Sequence, residues 1–490
     1  MTRSGWSGRY LAAGVLALAV AACNAEPAAP RSPVPSASRS ASSAGPGAEG
    51  ADSAPTQPLV LVTHATRPPL MLTRAVARRV LAGQVRRWAQ LDDRSRGRLR
   101  VVAAPGVGAA TRLEVTSARA AVRAVVGDRR VLAVVPAHAA GPRVQAARVG
   151  GVDPFRRPKL YSLRTSATTT PGPVVTISVA GDIMLGRGVA AAARGTGDLT
   201  PALRPMQRRL AAADLTVGNL ESTLSRAGPP TQGGDSFAAD PGVTRGLRDA
   251  GFDVLDLANN HLGDFGPRAL VQTVRRLRAD GLRTFGAAAN SRRAWQPAVV
   301  ERAGVRFGFL GFNAIGETPE VATGRPGAVS VSMPPRTGPL DRAELRRFLD
   351  AVRRLDGRVD VVVVFPHWGT QYTNVPEPVQ RHVARQLVSA GADLVAGGHP
   401  HWVQGAAMVR DRLVVHSLGN FVFDMDFMDE TMRGLLLELT YWGPDLKAAR
   451  FVPYRMDTRF APRVQSYREG IETLRLMWAT SGPAFHLGSG

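Results

Sequence analysis

The 490-residue chain contains a single cysteine, Cys23, so no disulfide can form within it. Lysine is almost missing as well: Lys159 and Lys447 are the only two, and arginine supplies nearly all of a formal charge of +23. A balance of that kind suits an anionic partner such as nucleic acid, a lipid surface or an acidic polymer. A GC-rich genome that replaced Lys by Arg explains the missing lysines better than any ligand does. No Lys/Arg run is interleaved with aromatic residues, which sets nucleic acid aside. Long hydrophobic runs are also lacking, since Tyr10–Ala22 is too short and too alanine-rich for a comfortable membrane span. Apolar content of 44% still suffices for at least one sizeable core, and the length suggests more than one domain.

What is present begins with Arg3 and Arg9 ahead of that apolar stretch, which ends in Val20-Ala21-Ala22-Cys23. Small residues before a cysteine at this point resemble a bacterial lipoprotein signal, which implies cleavage before Cys23 and lipid on its thiol. An uncleaved anchor is the alternative, and either places the rest outside the cytoplasm, at a membrane or secreted. Residues 24–57 are Ala, Ser, Pro and Gly with almost no large apolar side chain. Such a segment cannot bury enough surface to offset the entropy of ordering, and it reads as a flexible tether.

Residues 58–163 are globular in composition. Leu59–Val62, Leu99–Val102 and Val131–Val135 read as strands, and Thr73–Ala82 has helical periodicity ending at Gly83. Leu72–Leu91 resembles a passage of phosphate-type periplasmic binding proteins, which implies a small α/β domain covering part of such a fold. The loops that would grip an anion are not evident in it. Residues 164–173 are rich in Ser, Thr and Pro and read as a linker, and a second domain begins at Val174.

Five apolar segments in that second domain read as buried strands, and each ends in groups able to do chemistry. Val174–Ala180 runs into Gly181-Asp182, and Asp214–Val217 into Gly218-Asn219-Leu220-Glu221. Asn219 and Glu221, two apart on an extended chain, point the same way. Phe252–Ala258 is followed by Asn259-Asn260-His261, an oxygen donor beside a proton donor. Val361–Phe365 delivers Pro366-His367-Trp368-Gly369. Asp393–Ala396 delivers Gly397-Gly398-His399-Pro400-His401, where the glycines permit a tight turn and Pro400 stiffens the segment between two imidazoles. Taken singly, each reads as a turn or a solvated strand end as readily as a ligand. Their recurrence is the signal, because in α/β sheets the functional crevice lies at the carboxyl ends of the strands. A mixed Asp/Glu/Asn/His set suits one or two divalent transition ions (Mn, Fe or Zn) better than Ca²⁺ or Mg²⁺.

The order Gly-Asp, Asn-Leu-Glu, Ala-Asn-Asn-His, Pro-His-Trp-Gly, Gly-His-Pro-His and Ser417-Leu418-Gly419-Asn420-Phe421 resembles the CapA family of capsule and poly-γ-glutamate synthesis proteins, over roughly Val174 to Pro453. That resemblance implies kinship with calcineurin-like metallophosphoesterases and an αββα sandwich, here residues 174–456, with residues 457–490 as an extension. It further implies that Asp182, Glu221, Asn219, Asn260, His367, His399 and His401 hold metal, and that His261 is the acid that protonates a leaving oxygen. Met184 stands where metallophosphoesterases carry a histidine, and Gln371 where many CapA-like proteins carry Glu. Three functions are compatible with these residues: metal-assisted hydrolysis of a phosphoester, a non-catalytic scaffold of exopolymer assembly or export that binds an acidic polymer, and solute sensing through residues 58–163.

Overall fold

The computed structural model describes residues 55–107, 114–168 and 171–487. Cys23, the signal stretch and residues 24–54 of the expected tether lie outside the described residues. No helix among those described is long and apolar enough to cross a membrane.

The strands expected from residue 174 onward assemble into two sheets. In the first, Arg283–Phe285, Val254–Asp256, Leu215–Leu220 and Val174–Ile183 run parallel in that spatial order, and Arg433–Trp442, Asp445–Met456 and Pro462–Val464 continue it antiparallel. In the second, Val305–Asn313, Val361–His367, Leu394–Ala396 and Arg412–Val415 are parallel neighbours, with Ala298–Arg302 and Ala406–Val409 at the edges. Strand alternation explains how the sheets stack. Val175, Ile177 and Val179 face Phe307, Phe309, Val363 and Phe365 in a shared core between the sheets. Ala180 and Ile183 turn the other way, toward a core with Met206, Leu247 and Leu270 from helices Arg204–Leu210, Val243–Asp249 and Gly266–Ala279. Val362 and Val364 likewise meet Phe348 and Leu387 of helices Arg342–Asp356 and Pro378–Ser389. Helices thus cover both outer faces, giving the αββα sandwich, and every central strand is buried on both sides.

A smaller mixed sheet precedes it. Thr56–His64 pairs antiparallel with Val131–Pro136 and Val144–Ala146, and Arg100–Ala103 lies parallel to Val131–Pro136. The helix expected over Thr73–Ala82 is Arg74–Leu81, capped by the Thr73 hydroxyl accepting from the Val76 N–H at 3.2 Å. Arg164–Ser166, expected within a linker, instead pairs with Thr56–Pro58 as a short strand. Its polar side chains conceal a backbone that completes an edge. Past residue 456, helix Ile471–Ala479 carries Leu474, Met477 and Trp478 into the core between the large sheets.

Residues Ala54–Gly490 form one compact unit. Small sheet and sandwich share a core: Trp442, at the end of a sandwich strand, is buried among the small-sheet residues, stacks edge-on against Phe155 and donates Nε1–H to the Phe155 carbonyl at 2.8 Å. Trp442→Ala removes both the packing and that bond. It should cost about 3–5 kcal/mol in chemical denaturation, the usual range for a buried tryptophan. A loss below about 1 kcal/mol would mean that the small sheet does not depend on this contact.

Candidate metal centre

The register of the first sheet sets Asn219 beside both Asp182 and Asp256, and Asn420 beside Asp182 from the other flank. In the second sheet His367 closes its strand, bridged to Gly398. The strand ends of both sheets therefore open onto one point. All eight residues named from the sequence lie there and all are buried, His261 being the most exposed at 5%.

The turn carrying the two histidines differs from expectation. Neither Gly397 nor Gly398 has positive φ; His399 and His401 do, at 93° and 57°. The glycines serve close approach instead. A Cβ on Gly398 would lie 2.3 Å from Asp182 Oδ1, and one on Gly397 would lie 2.2 Å from the His416 carbonyl oxygen. Left-handed backbone at two non-glycine residues costs about 1–3 kcal/mol each and persists only where surroundings enforce it. Here the Asp182 carboxylate accepts the His399 N–H at 3.0 Å.

Two overlapping donor groups result. Glu221, His367 and His399 offer atoms within 4.8 Å of one another, and so do Asp182, Glu221 and His401. Glu221 belongs to both. Asn260 joins the first, its Oδ1 being 2.8 Å from His367 Nε2, which is itself 3.4 Å from Glu221 Oε1. Asn219 is engaged on every side: Nδ2 donates to Asp182 Oδ1 at 2.8 Å and approaches His367 Nδ1 at 3.2 Å, while Oδ1 accepts from Asn259 at 2.8 Å. Met184 is buried in the helix-side core, and its sulfur accepts the Gly186 N–H.

Whether a cation fits can be read from the bonds left unmade. Both Glu221 oxygens, His399 Nδ1 and His401 Nε2 are buried without a hydrogen-bond partner. An unsatisfied buried polar atom costs about 1–3 kcal/mol, so four in one place call for a shared partner. His401 Nδ1 donates to Asn420 Oδ1 at 2.8 Å, which turns the bare Nε2 lone pair inward. Burial drives His367 and His399 well below the usual histidine range and His401 down to about 4, so all three are neutral and able to ligate. Burial raises Asp182 to about 6, against the hydrogen bonds from Asn219 and His399, and raises Glu221 well above its ordinary value, with the Asp182, Asp264 and Glu317 charges adding to it. Two carboxylates short of positive charge beside three neutral imidazoles form a donor set that fits one or two divalent cations.

His261 stands at the rim. Its Nδ1 is 2.8 Å from Asp264 Oδ2, its ring stacks on Phe237 at 3.7 Å, and its Nε2 lies 3.9 Å from Glu221 Oε1. Asp264 also accepts the Phe237 N–H at 2.6 Å, which fixes its position. Asp264, Asn420 and Glu317, the last accepting from Asn260 Nδ2 at 2.7 Å, are supporting residues to which sequence reasoning assigned no role. For Asp264 a signal existed in its i+3 spacing from His261. Glu317 carried none.

Two packed sheets whose strand ends converge on a buried carboxylate–imidazole cluster define the class: an α/β sandwich with a candidate metal centre. The family described as Bacterial capsule synthesis protein PGA_cap matches residues 176–425, just over half of the chain, and the chain belongs to that family. Similar relatives include the capsule biosynthesis protein CapA of Bacillus anthracis, 33% identical over 255 residues (51% of this chain, 60% of that one). The PGA biosynthesis protein CapA of Bacillus subtilis is 30% identical over 256 residues, covering 51% and 64%. The match therefore spans less than two thirds of either relative. A probable polyglutamine synthesis accessory protein of Mycobacterium tuberculosis is 26% identical over 328 residues, covering 58% and 85%. Among solved structures, a hypothetical protein from Thermus thermophilus aligns with 57% of this chain and 99% of its own at 15% identity and a TM-score of 0.36. An ABC-type phosphate transport receptor from Vibrio cholerae aligns with 22% and 54% at 16% identity and a TM-score of 0.20.

The donor set makes a pH prediction with a definite sign. In the metal-stripped protein, Asp182 titrates near 6 when folded against 3.8 ordinarily, so its stability contribution is lost as pH rises through that window. A cation offsets that loss. The rise in melting temperature on adding Mn²⁺ should therefore be small at about pH 5 and grow as pH rises through that window, with Glu221, also raised by burial, extending the growth in the same direction. A rise that is flat or falls across this range would contradict the arrangement.

Proposed function

We propose that this protein is a lipid-anchored, extracytoplasmic component of capsule or poly-γ-glutamate-type exopolymer synthesis, and that its buried cluster is a metallophosphoesterase-type centre hydrolysing a phosphoester or related bond. The observation that carries the chemistry is the group of buried acceptors around Glu221 with no partner. The capsule and PGA biosynthesis roles named for the relatives and the Val20-Ala21-Ala22-Cys23 motif support the setting.

In this reading Asp182, Glu221 and His401 hold one ion, and Glu221, His367, His399 and Asn260 the other. Asn219 positions Asp182 and His367. A divalent ion supplies Lewis acidity and a nucleophile near neutral pH. The chain supplies the proton: His261, protonated, keeps Nδ1–H on Asp264 and presents Nε2–H to the departing oxygen. Asp264 stabilises the imidazolium and holds the ring flat against Phe237. The alternative, a non-catalytic scaffold gripping an acidic polymer, draws on the excess of 62 basic over 39 acidic residues.

Metal analysis and hydrolysis of bis-p-nitrophenyl phosphate by the purified full chain separate these readings. His399→Ala should lose metal and hydrolysis together. His261→Ala should keep the metal while hydrolysis falls about a hundredfold or more, the usual worth of a general acid. Hydrolysis undiminished in His261→Ala rules out its assigned role. Metal-free wild-type protein that binds polyglutamate in a salt-sensitive way, with Asp182→Asn unaffected, establishes the scaffold instead. For the anchor, Cys23→Ser should release the chain from the membrane fraction, and its retention there would exclude lipid on Cys23.

A further inference from the structure

A second set of unmet bonds lies far along the chain from the donor cluster, at the seam between the small sheet and the C-terminal segment. A depression of about 880 Å³ is lined there by His64, Arg67, Asp128, Arg129, Arg130 and Ser481. Arg67 sits in the turn after strand Thr56–His64, its N–H bonded to the His64 carbonyl. Arg129 lies between helix Ala118–Gly127 and strand Val131–Pro136.

The two arginines hold each other's loops. Arg67 donates through Nη1 to the Arg129 carbonyl at 3.1 Å and through Nη2 to Ser95 Oγ at 2.9 Å, and its guanidinium lies 3.4 Å from the Trp88 ring centroid. Arg129 donates through Nη2 to the Thr66 carbonyl at 3.3 Å, which also accepts from the Tyr467 hydroxyl at 2.9 Å. These contacts fix the guanidiniums and satisfy part of each fork. The Nε–H of both remains buried without an acceptor.

A carboxylate in direct contact is missing as well. Among the described residues neither Arg67 nor Arg129 forms an ion pair. Of the nearby acids, Asp92 acts on Arg67 across the Ser95 hydroxyl, which accepts from Arg67 and donates to Asp92 at 2.7 Å, and Asp128 is paired with Arg130 at 3.1 Å. His64 brings no charge, since burial and the two arginines lower it to about 4. Two half-buried like charges held side by side at an open depression match an oxyanion, which accepts from guanidinium forks in parallel and offsets the repulsion. Arg130, already paired with Asp128, is the built-in control.

We propose that this depression is a ligand site, separate from the metal centre, for a small oxyanion of phosphate or carboxylate chemistry gripped by Arg67 and Arg129. It does not depend on the hydrolytic reading above. The test is calorimetric titration of the full chain with inorganic phosphate and, separately, with glutarate at constant ionic strength. Saturable one-site binding of at least one anion is expected, and the tighter of the two identifies the source as phosphate or carboxylate. Arg129→Gln should weaken it about tenfold or more, a loss of roughly 1.4 kcal/mol, with the metal content unchanged. Arg67→Gln should do the same, and because it also strips the Trp88 contact, Arg129→Gln decides. Arg130→Gln should stay within about threefold. Absence of saturable binding for both anions, or binding that survives Arg129→Gln, overturns the proposal.

Discussion

The architecture depends on one electrostatic constraint: Asp182 and Glu221 are carboxylates with no exposed surface at all. Among the described residues neither forms an ion pair with Arg or Lys, and His367 and His401 beside them are imidazoles made neutral by the same burial. A carboxylate so placed either takes up a proton or finds a cation, because the desolvation cost of the bare charge is prohibitive. Protonation would satisfy one oxygen at a time. It would leave the lone pairs of His399 Nδ1 and His401 Nε2 as bare as before. A cation satisfies all of them together, so the cluster is better described as a coordination shell than as a buried hydrogen-bond network.

The sandwich exists in a form that supports this shell. Parallel strands place their carboxyl ends side by side, and close packing of the two sheets brings the end of Val361–His367 over the ends of Val174–Ile183 and Leu215–Leu220. The last contact requires a missing side chain. Asp182 reaches under the histidine turn only because Gly398 has no Cβ, and it repays that approach by accepting the His399 N–H. The positive φ values of His399 and His401 follow from the same fit. A backbone anchored to Asp182 at one point and to Tyr372 at another, where the Pro400 carbonyl accepts at 3.0 Å, has little choice in between. Conformational strain is thus concentrated where the donors must be aimed.

Strand ends were legible in the sequence because burial on both faces writes a continuous apolar run, and a polar residue closing such a run is conspicuous. Asp182, Glu221, His367 and the His399/His401 pair were all visible in that way. The supporting residues were not. Asn420 stands in a motif that carried the family resemblance but offered no role of its own, and Glu317 lies in a loop at a left-handed φ of 61° that nothing in its neighbours announces. Their roles depend on which side chain they meet across the fold, and local pattern carries no such information. The same limit applies to the short strand Arg164–Ser166, whose composition reads as linker because its partner at Thr56–Pro58 lies more than a hundred positions away. The Arg67–Arg129 pair was hidden for the opposite reason, since arginines are so common in this chain that two more drew no attention.

That abundance bears on how the net charge should be used. With 62 basic and 39 acidic residues, every acid could be paired and a surplus of +23 would still be spread over the surface. Many exposed arginines are in fact paired, among them Arg306 with Asp360, Arg204 with Asp198 and Arg353 with Asp350, and such contacts are worth little individually. A diffuse surplus of this kind attracts any polyanion and is screened by salt over about 8 Å, so it discriminates weakly. Discrimination needs fixed geometry, cations held in place by other bonds, and donors left over once those bonds are made. Arg67 and Arg129 have all three. Their depression is also tied to the sandwich through Tyr467, whose hydroxyl bonds to the Thr66 carbonyl and whose ring lies against Trp478 of the helix that closes the inter-sheet core. The Arg67 turn and the core between the large sheets are thus joined by one continuous run of packed contacts, Thr66 to Tyr467 to Trp478.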